Sequence, residues 1–342
     1  MNIGILTGGG DCPGLNAVIR AVVKRGHQFG YEFTGIKDGW KGLVALNSMK
    51  IDLDTVSGIL PAGGTILGTS RTNPMKSERD TQAVLNNVEE LGLDALICIG
   101  GDDTLGVAAK LFEKGIKTIG VPKTIDNDLM GTDFTFGFDT AVSIVTWALD
   151  RLHTTTEAHH RVMAVEVMGR HAGWIAVYGG IAGGANVILI PEKPFDIIEV
   201  CRYVDKRKEA GKRSSLIVAA EGAYPKEAGG MITKDKELDA FGHAKLGGVG
   251  EFLAREIEKR TGIESRHVVL GHLQRGGTPT AYDRILATRY GVKAVELINE
   301  GKFGRMVCLQ GAHIKDISLA DATSKTKTVD PETLRIAEIF FG

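Results

Sequence analysis

The sequence predicts an α/β protein of two similar three-layer domains, each a mainly parallel sheet covered by helices on both faces, with the ligand bound in the cleft between them. Three observations predict it. Apolar, strand-like runs alternate with helical patterns from end to end, as in a parallel sheet. The runs are too many for one comfortable sheet in a chain of 342 residues, a length that fits two domains. Glycines, acids and hydroxyls follow directly on several of the runs, where an open α/β sheet binds ligands.

Ile3-Gly4-Ile5-Leu6 is the first expected strand. It feeds Thr7-Gly8-Gly9-Gly10-Asp11-Cys12-Pro13-Gly14. From Leu15 to Arg25, Ala17, Val18, Ala21 and Val22 recur at helical spacing. Ala95-Leu96-Ile97-Cys98 predicts a strand and Thr104 to Lys114 a helix. Thr118-Ile119-Gly120-Val121 predicts a buried parallel strand, and Asp139 to Leu152 a longer helix capped by Asp139 or Thr140. Further strands are expected at Val162–Val167, Val187–Ile190, Leu216–Ala220 and Val268–Leu270. Helices are expected over Trp174–Ala182, Ile197–Lys208, Val249–Thr261 and Tyr282–Asn299. The polar, weakly periodic stretch from Tyr224 to Gly248 is expected as a surface loop, and the tail from Thr323 as a short helix with a packing segment.

Composition excludes several classes. A formal net charge of −1 gives no global field for nucleic acid or an anionic membrane, so anionic substrates must be held by local arginines and lysines. The longest apolar runs fall short of the roughly 20 residues a membrane span needs. Cys12, Cys98, Cys201 and Cys308 lie far apart without metal-ligand spacing. They are expected as reduced thiols of a cytoplasmic protein, with the first strand beginning almost at Met1.

The chemistry collects at strand ends. Gly8-Gly9-Gly10-Asp11 presents backbone N–H groups to an anion, yet lacks the Gly-Lys-Ser/Thr of a P-loop. In Gly100-Gly101-Asp102-Asp103-Thr104 two adjacent carboxylates repel each other unless a cation joins them, and a magnesium ion with phosphate oxygens supplies it. Lys123-Thr124-Ile125-Asp126-Asn127-Asp128 offers an acid to take a proton from an attacking hydroxyl, and a lysine to neutralise the transferred group. Arg161, Met168-Gly169-Arg170-His171, Glu221-Gly222, Arg266 and Gly271-His272-Leu273-Gln274-Arg275 add arginine forks for phosphate and a glutamate suited to sugar hydroxyls.

Taken together, Gly-Gly-Asp at Gly100, Thr-Ile-Asp-Asn-Asp at Thr124, Val-Glu-Val-Met-Gly-Arg ending at Arg170 and Gly-His-Leu-Gln-Arg-Gly-Gly from Gly271 resemble the 6-phosphofructokinases, in order and with matching gaps from residue 3 to about 310. The resemblance implies a glycolytic transferase that moves a phosphoryl group onto the 1-hydroxyl of fructose 6-phosphate with Mg²⁺. It implies a larger donor-binding domain of 1–138 plus 251–304 and a smaller sugar-binding domain of 139–250 plus 305–342. Asp126 falls on the catalytic base and Asp102 on the metal-binding aspartate, with Thr124 and Asp128 in support. Gly10, Arg71, Asp102, Asp103 and Thr104 fall on the donor side. Arg170, Met168, Gly169 and Glu221 fall on the sugar and transition-state site. Arg161, Arg266, His272 and Arg275 match the 6-phosphate clamp, with Arg161 and Arg266 reaching into a neighbouring subunit of a homodimer or homotetramer.

Two positions depart from the ATP-using bacterial pattern. Asp103 and Lys123 stand where that pattern has glycine. A carboxylate at 103 fills and repels the space of a nucleotide α-phosphate, and a lysine at 123 can hold the far phosphate of a shorter donor. The pair resembles the pyrophosphate-dependent branch, which implies pyrophosphate as the donor; the alternatives are an ATP-dependent enzyme of the same fold and, after it, a non-catalytic phosphosugar-binding protein.

Overall fold

The computed structural model describes residues 1–231, 233–238 and 244–342, with side chains for 1–231 and 246–342. Its strands are β1 (Asn2–Thr7), β2 (Glu32–Ile36), β3 (Ser48–Ile51), β4 (Ala95–Gly100), β5 (Thr118–Thr124), β6 (Phe136–Gly137), β7 (Val162–Val167), β8 (Val187–Leu189), β9 (Ser215–Ala220), β10 (Thr233–Leu238), β11 (Ala244–Leu246), β12 (Ser265–Val269), β13 (Arg305–Gln310) and β14 (His313–Ser318). The helices are α1 (Leu15–His27), α2 (Gly39–Val44), α3 (Glu78–Glu90), α4 (Asp102–Glu113), α5 (Phe138–His159), α6 (Trp174–Ala182), α7 (Ile197–Glu209), α8 (Val249–Thr261), α9 (Ala281–Asn299), α10 (Leu319–Ala322) and α11 (Pro331–Glu338).

Two sheets carry the architecture, as expected. The first runs β14-β13-β5-β4-β1-β2-β3, with β6 beside β5. Its inner pairs are parallel, and antiparallel pairing is confined to the edges β2–β3 and β13–β14. The second runs β12-β7-β9-β8 and is parallel throughout. Every residue of β4, β5, β7 and β9 is buried. Strands covered on both faces need continuous apolar runs rather than alternation, which is why these were legible as plain hydrophobic stretches.

Strand pairing divides the chain differently from the expected domain boundaries. β13 lies parallel to β5, with Arg305 opposite Ile119, and β14 pairs with β13, so 305–318 completes the first sheet. Conversely, β12 joins the second sheet through β7, and α8 packs on both strands, so 249–269 belongs with the second sheet. The start of α5 also differs. Its N-cap is Gly137 in the left-handed region, and Asp139 and Thr140 sit inside the first turn. Their side chains instead join α5 to α9: Thr280 donates to Asp139 Oδ2 at 2.6 Å, and Thr140 donates to Asp283 Oδ2 through both its N–H, at 2.8 Å, and its hydroxyl. Part of the loop expected at 224–248 is the β10–β11 hairpin; Ile232 and Asp239–His243 lie outside the described residues. Among the described residues no helix is long and apolar enough to cross a membrane.

Candidate active site

The carboxyl ends of β1, β4 and β5 meet the turn after β7 in one cleft, lined by Gly9 and Gly10, by Asp102, Asp103 and Thr104, by Lys123, Thr124, Asp126 and Asp128, and by Arg71, Arg170 and Arg275. The glycine-rich turn is stitched to its neighbours by backbone bonds, Gly8 N–H to Ile99 O at 2.9 Å and Gly9 N–H to Ser70 O at 3.0 Å. Gly10 lets the Arg275 guanidinium approach the turn closely: a Cβ there would lie 2.6 Å from Arg275 Nη1 and would displace it. At the end of β4, Gly101 is the extended N-cap of α4, and Asp102 and Asp103 fall in the first helical turn. The helix dipole favours negative charge at that place.

β5 remains in the sheet through Lys123 and Thr124, which buries both. The Lys123 ammonium donates to the Gly10 carbonyl, tying the third strand end to the first. Thr124 Oγ1 accepts from Asp126 N–H at 3.0 Å and so fixes the start of the acidic turn. Asn127 then adopts φ +51°, a region asparagine tolerates better than most residues. Its side chain accepts from Thr135 N–H at 3.0 Å and donates to Asp133 O at 3.2 Å, which closes the loop. The turn thus aims Asp126 and Asp128 into the cleft. One carboxylate oxygen of each is buried without a hydrogen-bond partner. Buried acceptors of this kind normally have partners, and the exceptions call for a ligand or a functional reason.

On the opposite wall, the turn after β7 is held from below. Arg170, at φ +51°, donates its N–H to Glu221 Oε1 at 3.2 Å, and Met168 N–H donates to Gln274 Oε1 at 3.3 Å. Arg275 is buried and reaches back across to donate to Asp11 O at 3.2 Å. Glu166, within the motif that ends at Arg170, is structural. It accepts from Gly248 and Gly250 N–H, each at 3.0 Å, and caps α8 from outside.

The side chains of the cleft by themselves set up unfavourable electrostatics. Burial pushes the Asp128 carboxyl up to about 7, with Asp126 and Asp102 adding to the shift. Burial likewise pushes Glu221 up to about 7, with Asp126 next in effect. Burial also lowers the Lys123 ammonium below the usual lysine range, and Arg275 adds to this while Cys12 and Asp126 oppose it. Such mutual repulsion is relieved by a cation among the acids and an anion near the lysine.

A stability prediction follows from the two raised carboxyls. Their folded values exceed the ordinary values of about 4, so the folded chain binds more protons than the unfolded one between pH 4 and 7. Stability therefore falls as pH rises through that window, and the full cost is present above about 7. The ligand-free Asp128→Asn, Glu221→Gln double variant should unfold at a higher temperature than the parent at pH 8. The gap should close toward pH 5. Scanning calorimetry at the two pH values reads it, and a gap that does not depend on pH contradicts it.

Six expected positions stand outside the lining of this cleft. Met168 and Gly169 lead into the Arg170 turn from the end of β7. Glu221 lies behind the wall that it holds. His272 is exposed, three residues before Arg275. Arg161 precedes β7 and Arg266 is near the start of β12, at the opposite ends of those strands from the cleft. Both bind Glu264, Arg161 Nε at 3.0 Å and Arg266 Nη2 at 2.6 Å. Arg161 also lines a basic cavity of about 570 Å³ with Lys208, Lys212 and Arg213.

Three supporting groups had no reading from the sequence. Asn127 sits between the two acids of the β5 turn, and its tolerance of positive φ was the available signal. Gln274 lies in the Gly-His-Leu-Gln-Arg stretch, and full burial of an amide is what marks it. Glu192 accepts from Gly173 N–H at 2.9 Å and Val329 N–H at 2.9 Å, joining segments far apart in the chain, and nothing local announces it.

Among the described residues no three His, Cys, Asp or Glu side chains form a ready cage for a metal. Asp102 and Asp128 suit an ion that takes the rest of its shell from phosphate and water, as Mg²⁺ does.

Comparison with known proteins gives the family of the chain. The family model "Phosphofructokinase" matches residues 2–298. A Streptomyces coelicolor protein named pyrophosphate–fructose 6-phosphate 1-phosphotransferase is 57% identical over 344 residues, covering all of both chains. Another from the same organism, named ATP-dependent 6-phosphofructokinase 3, is 55% identical and covers 96% of each. The structure of phosphofructokinase from Saccharomyces cerevisiae superposes with a TM-score of 0.82 at 29% identity over 99% of this chain, which spans 46% of that longer chain. On a family match across most of its length and relatives more than half identical from end to end, the chain belongs to the phosphofructokinase family.

Proposed function

We propose that this chain transfers a phosphoryl group from pyrophosphate to the 1-hydroxyl of fructose 6-phosphate, giving fructose 1,6-bisphosphate and orthophosphate. The observation that carries the donor assignment is the pairing of Asp103, in the first turn of α4, with the buried Lys123 ammonium under the glycine turn. The carboxylate occupies and repels the space of a third phosphate. The lysine, already placed between the strand ends, neutralises the far end of a two-phosphate donor. The Streptomyces coelicolor relative named for pyrophosphate supports the same reading.

Asp126 is the proposed general base. One of its oxygens is buried and unpartnered, and its backbone is pinned by Thr124, so it is oriented and free to accept a proton from the sugar hydroxyl. Arg170 and Lys123 face the transferred group, and Arg275 and His272 bind the sugar phosphate. Glu221 sets the Arg170 turn and, with Met168 and Gly169, shapes the sugar side. Asp102, supported by Asp128, holds Mg²⁺, which when bound draws charge from the donor phosphates. Gly10, Arg71 and Thr104 cradle the donor. Arg161 and Arg266, remote from their own cleft and parked on Glu264, serve a neighbouring copy's site in a homo-oligomer. Cleavage of pyrophosphate leaves the reaction readily reversible, which suits a cytoplasmic enzyme of both glycolysis and gluconeogenesis.

One observation favours the ATP-dependent alternative. A groove of about 490 Å³ leads from Asp102 and Asp103 along α4 past Gly106 and Lys110, with room for a nucleoside. Steady-state assays of the purified protein with fructose 6-phosphate and Mg²⁺, supplying pyrophosphate or ATP, separate the two. Turnover with pyrophosphate and little with ATP is expected. Turnover with ATP alone overturns the donor assignment.

A further inference from the structure

The segment after α10 links the loop that follows Asp126 to the start of α6. Thr326 bridges to Leu129, and Lys327 N–H donates to Asp128 O at 2.7 Å. The Lys327 ammonium donates to the carbonyls of Thr132 and Asp133, at 2.8 and 3.0 Å. All of these partners belong to the loop that follows Asp126. On the other side, Lys327 O accepts from Trp174 Nε1 at 2.9 Å, and the ammonium stands 5.2 Å from the centre of the Trp174 ring. Trp174 begins α6, directly after the turn that carries Arg170. Two residues further along, Val329 N–H shares the Glu192 carboxylate with Gly173 N–H.

From this geometry we infer that Lys327 is a positioning residue, the centre of a brace that sets the Asp126–Asp133 loop against the Met168–Trp174 turn. The sequence places one group in each: the acid on the first and Arg170 on the second. Transfer of a phosphoryl group requires the two walls to be in register, and a misplacement of about 1 Å can cost 10²-fold in rate. The aromatic contacts beneath, Phe134 with Tyr178 at 6.2 Å and Trp174 with Tyr178 at 6.0 Å, keep the walls packed. Ring contacts allow sliding, however, and it is the directional bonds of Lys327 that fix register. Burial draws the ammonium down to about 8 while Asp133 and Asp128 pull it back up, so it is held by the loop that it organises.

The inference rests on the proposed reaction, and the test separates the two. Lys327→Met keeps most of the stem and removes the ammonium; Lys327→Arg restores a cation. Lys327→Met should lower kcat by about tenfold or more while the dissociation constant for fructose 6-phosphate alone, by calorimetry, changes less than about threefold; Lys327→Arg should recover most of the loss. A residue that served only stability would lower the unfolding temperature and leave kcat per folded molecule intact. Independently of turnover, amide hydrogen exchange of the free protein should speed up in both 128–133 and 168–174 in Lys327→Met. If that variant does not fold, Trp174→Phe, which removes the indole donor together with one ring of the side chain, undergoes the same measurements. A kcat within twofold of the parent, or faster exchange in 128–133 alone, overturns the brace. A parent inactive with either donor sinks the proposed reaction, and the exchange data still decide the brace.

Discussion

Asp126→Asn is expected to lower turnover by roughly 10²–10⁴-fold, the usual worth of a positioned general base, with little change in KM for either substrate. The size follows from the setting of the side chain. The substitution keeps shape and keeps the backbone bond to Thr124 Oγ1, so the loop should stand as it does in the parent. It removes the negative charge, and with it the basicity, of a cleft carboxylate that has a buried, unpartnered oxygen. In free energy this is about 3–5 kcal/mol of transition-state stabilisation, at about 1.4 per decade of rate. Removal of one negative charge also relieves Asp128, whose raised value owes most to burial and next to Asp126. The folded variant should therefore be no less stable than the parent above pH 7, and pyrophosphate should bind it at least as well. Loss of kcat with unimpaired binding is the signature of a group that acts mainly in the transition state. Near-normal turnover in the purified variant contradicts the assignment.

How far all this was legible in the sequence depended on whether the information was local. α6 and α8 begin and end where the apolar spacing put them, because glycines flank both. The acids of β4 and β5 were legible as a site because a carboxylate pair directly after a buried strand is costly without a ligand. The short strands β2 and β3 had no reading from the sequence, since runs of five and four residues are too short to establish a period. The assignment of β13 and β12 to sheets was beyond local reading. Arg305 pairs with Ile119 from far along the chain, and nothing around either residue specifies the other. The same holds for Lys327, which lies in the tail and is tied to Asp128, Thr132, Asp133 and Trp174 only by the fold.

Donor choice should change hands when Asp103 and Lys123 are replaced by glycine. Lys123→Gly alone should lower pyrophosphate turnover by about 10²–10³-fold, the loss typical of one preorganised donor of charge at a developing anion. The mutation has a structural arm as well. The Gly10 carbonyl loses its partner, and β1 and β5 lose their side-chain tie at the cleft. Asp103→Gly alone should leave pyrophosphate use within an order of magnitude and admit ATP, because a carboxylate is removed from the first turn of α4 at the mouth of the groove along that helix. The double variant should prefer ATP. The two effects should not add, since both residues line one small cleft and meet the same phosphates. Lys123→Gly should be harmful while Asp103 is present and better tolerated, with ATP as donor, once residue 103 is glycine. Steady-state kinetics of the four proteins with each donor gives the coupling directly. If Asp103→Gly gains no ATP turnover and pyrophosphate use is unaltered, the steric and electrostatic account of residue 103 is wrong, and selection must lie further along the groove at Gly106 or Lys110.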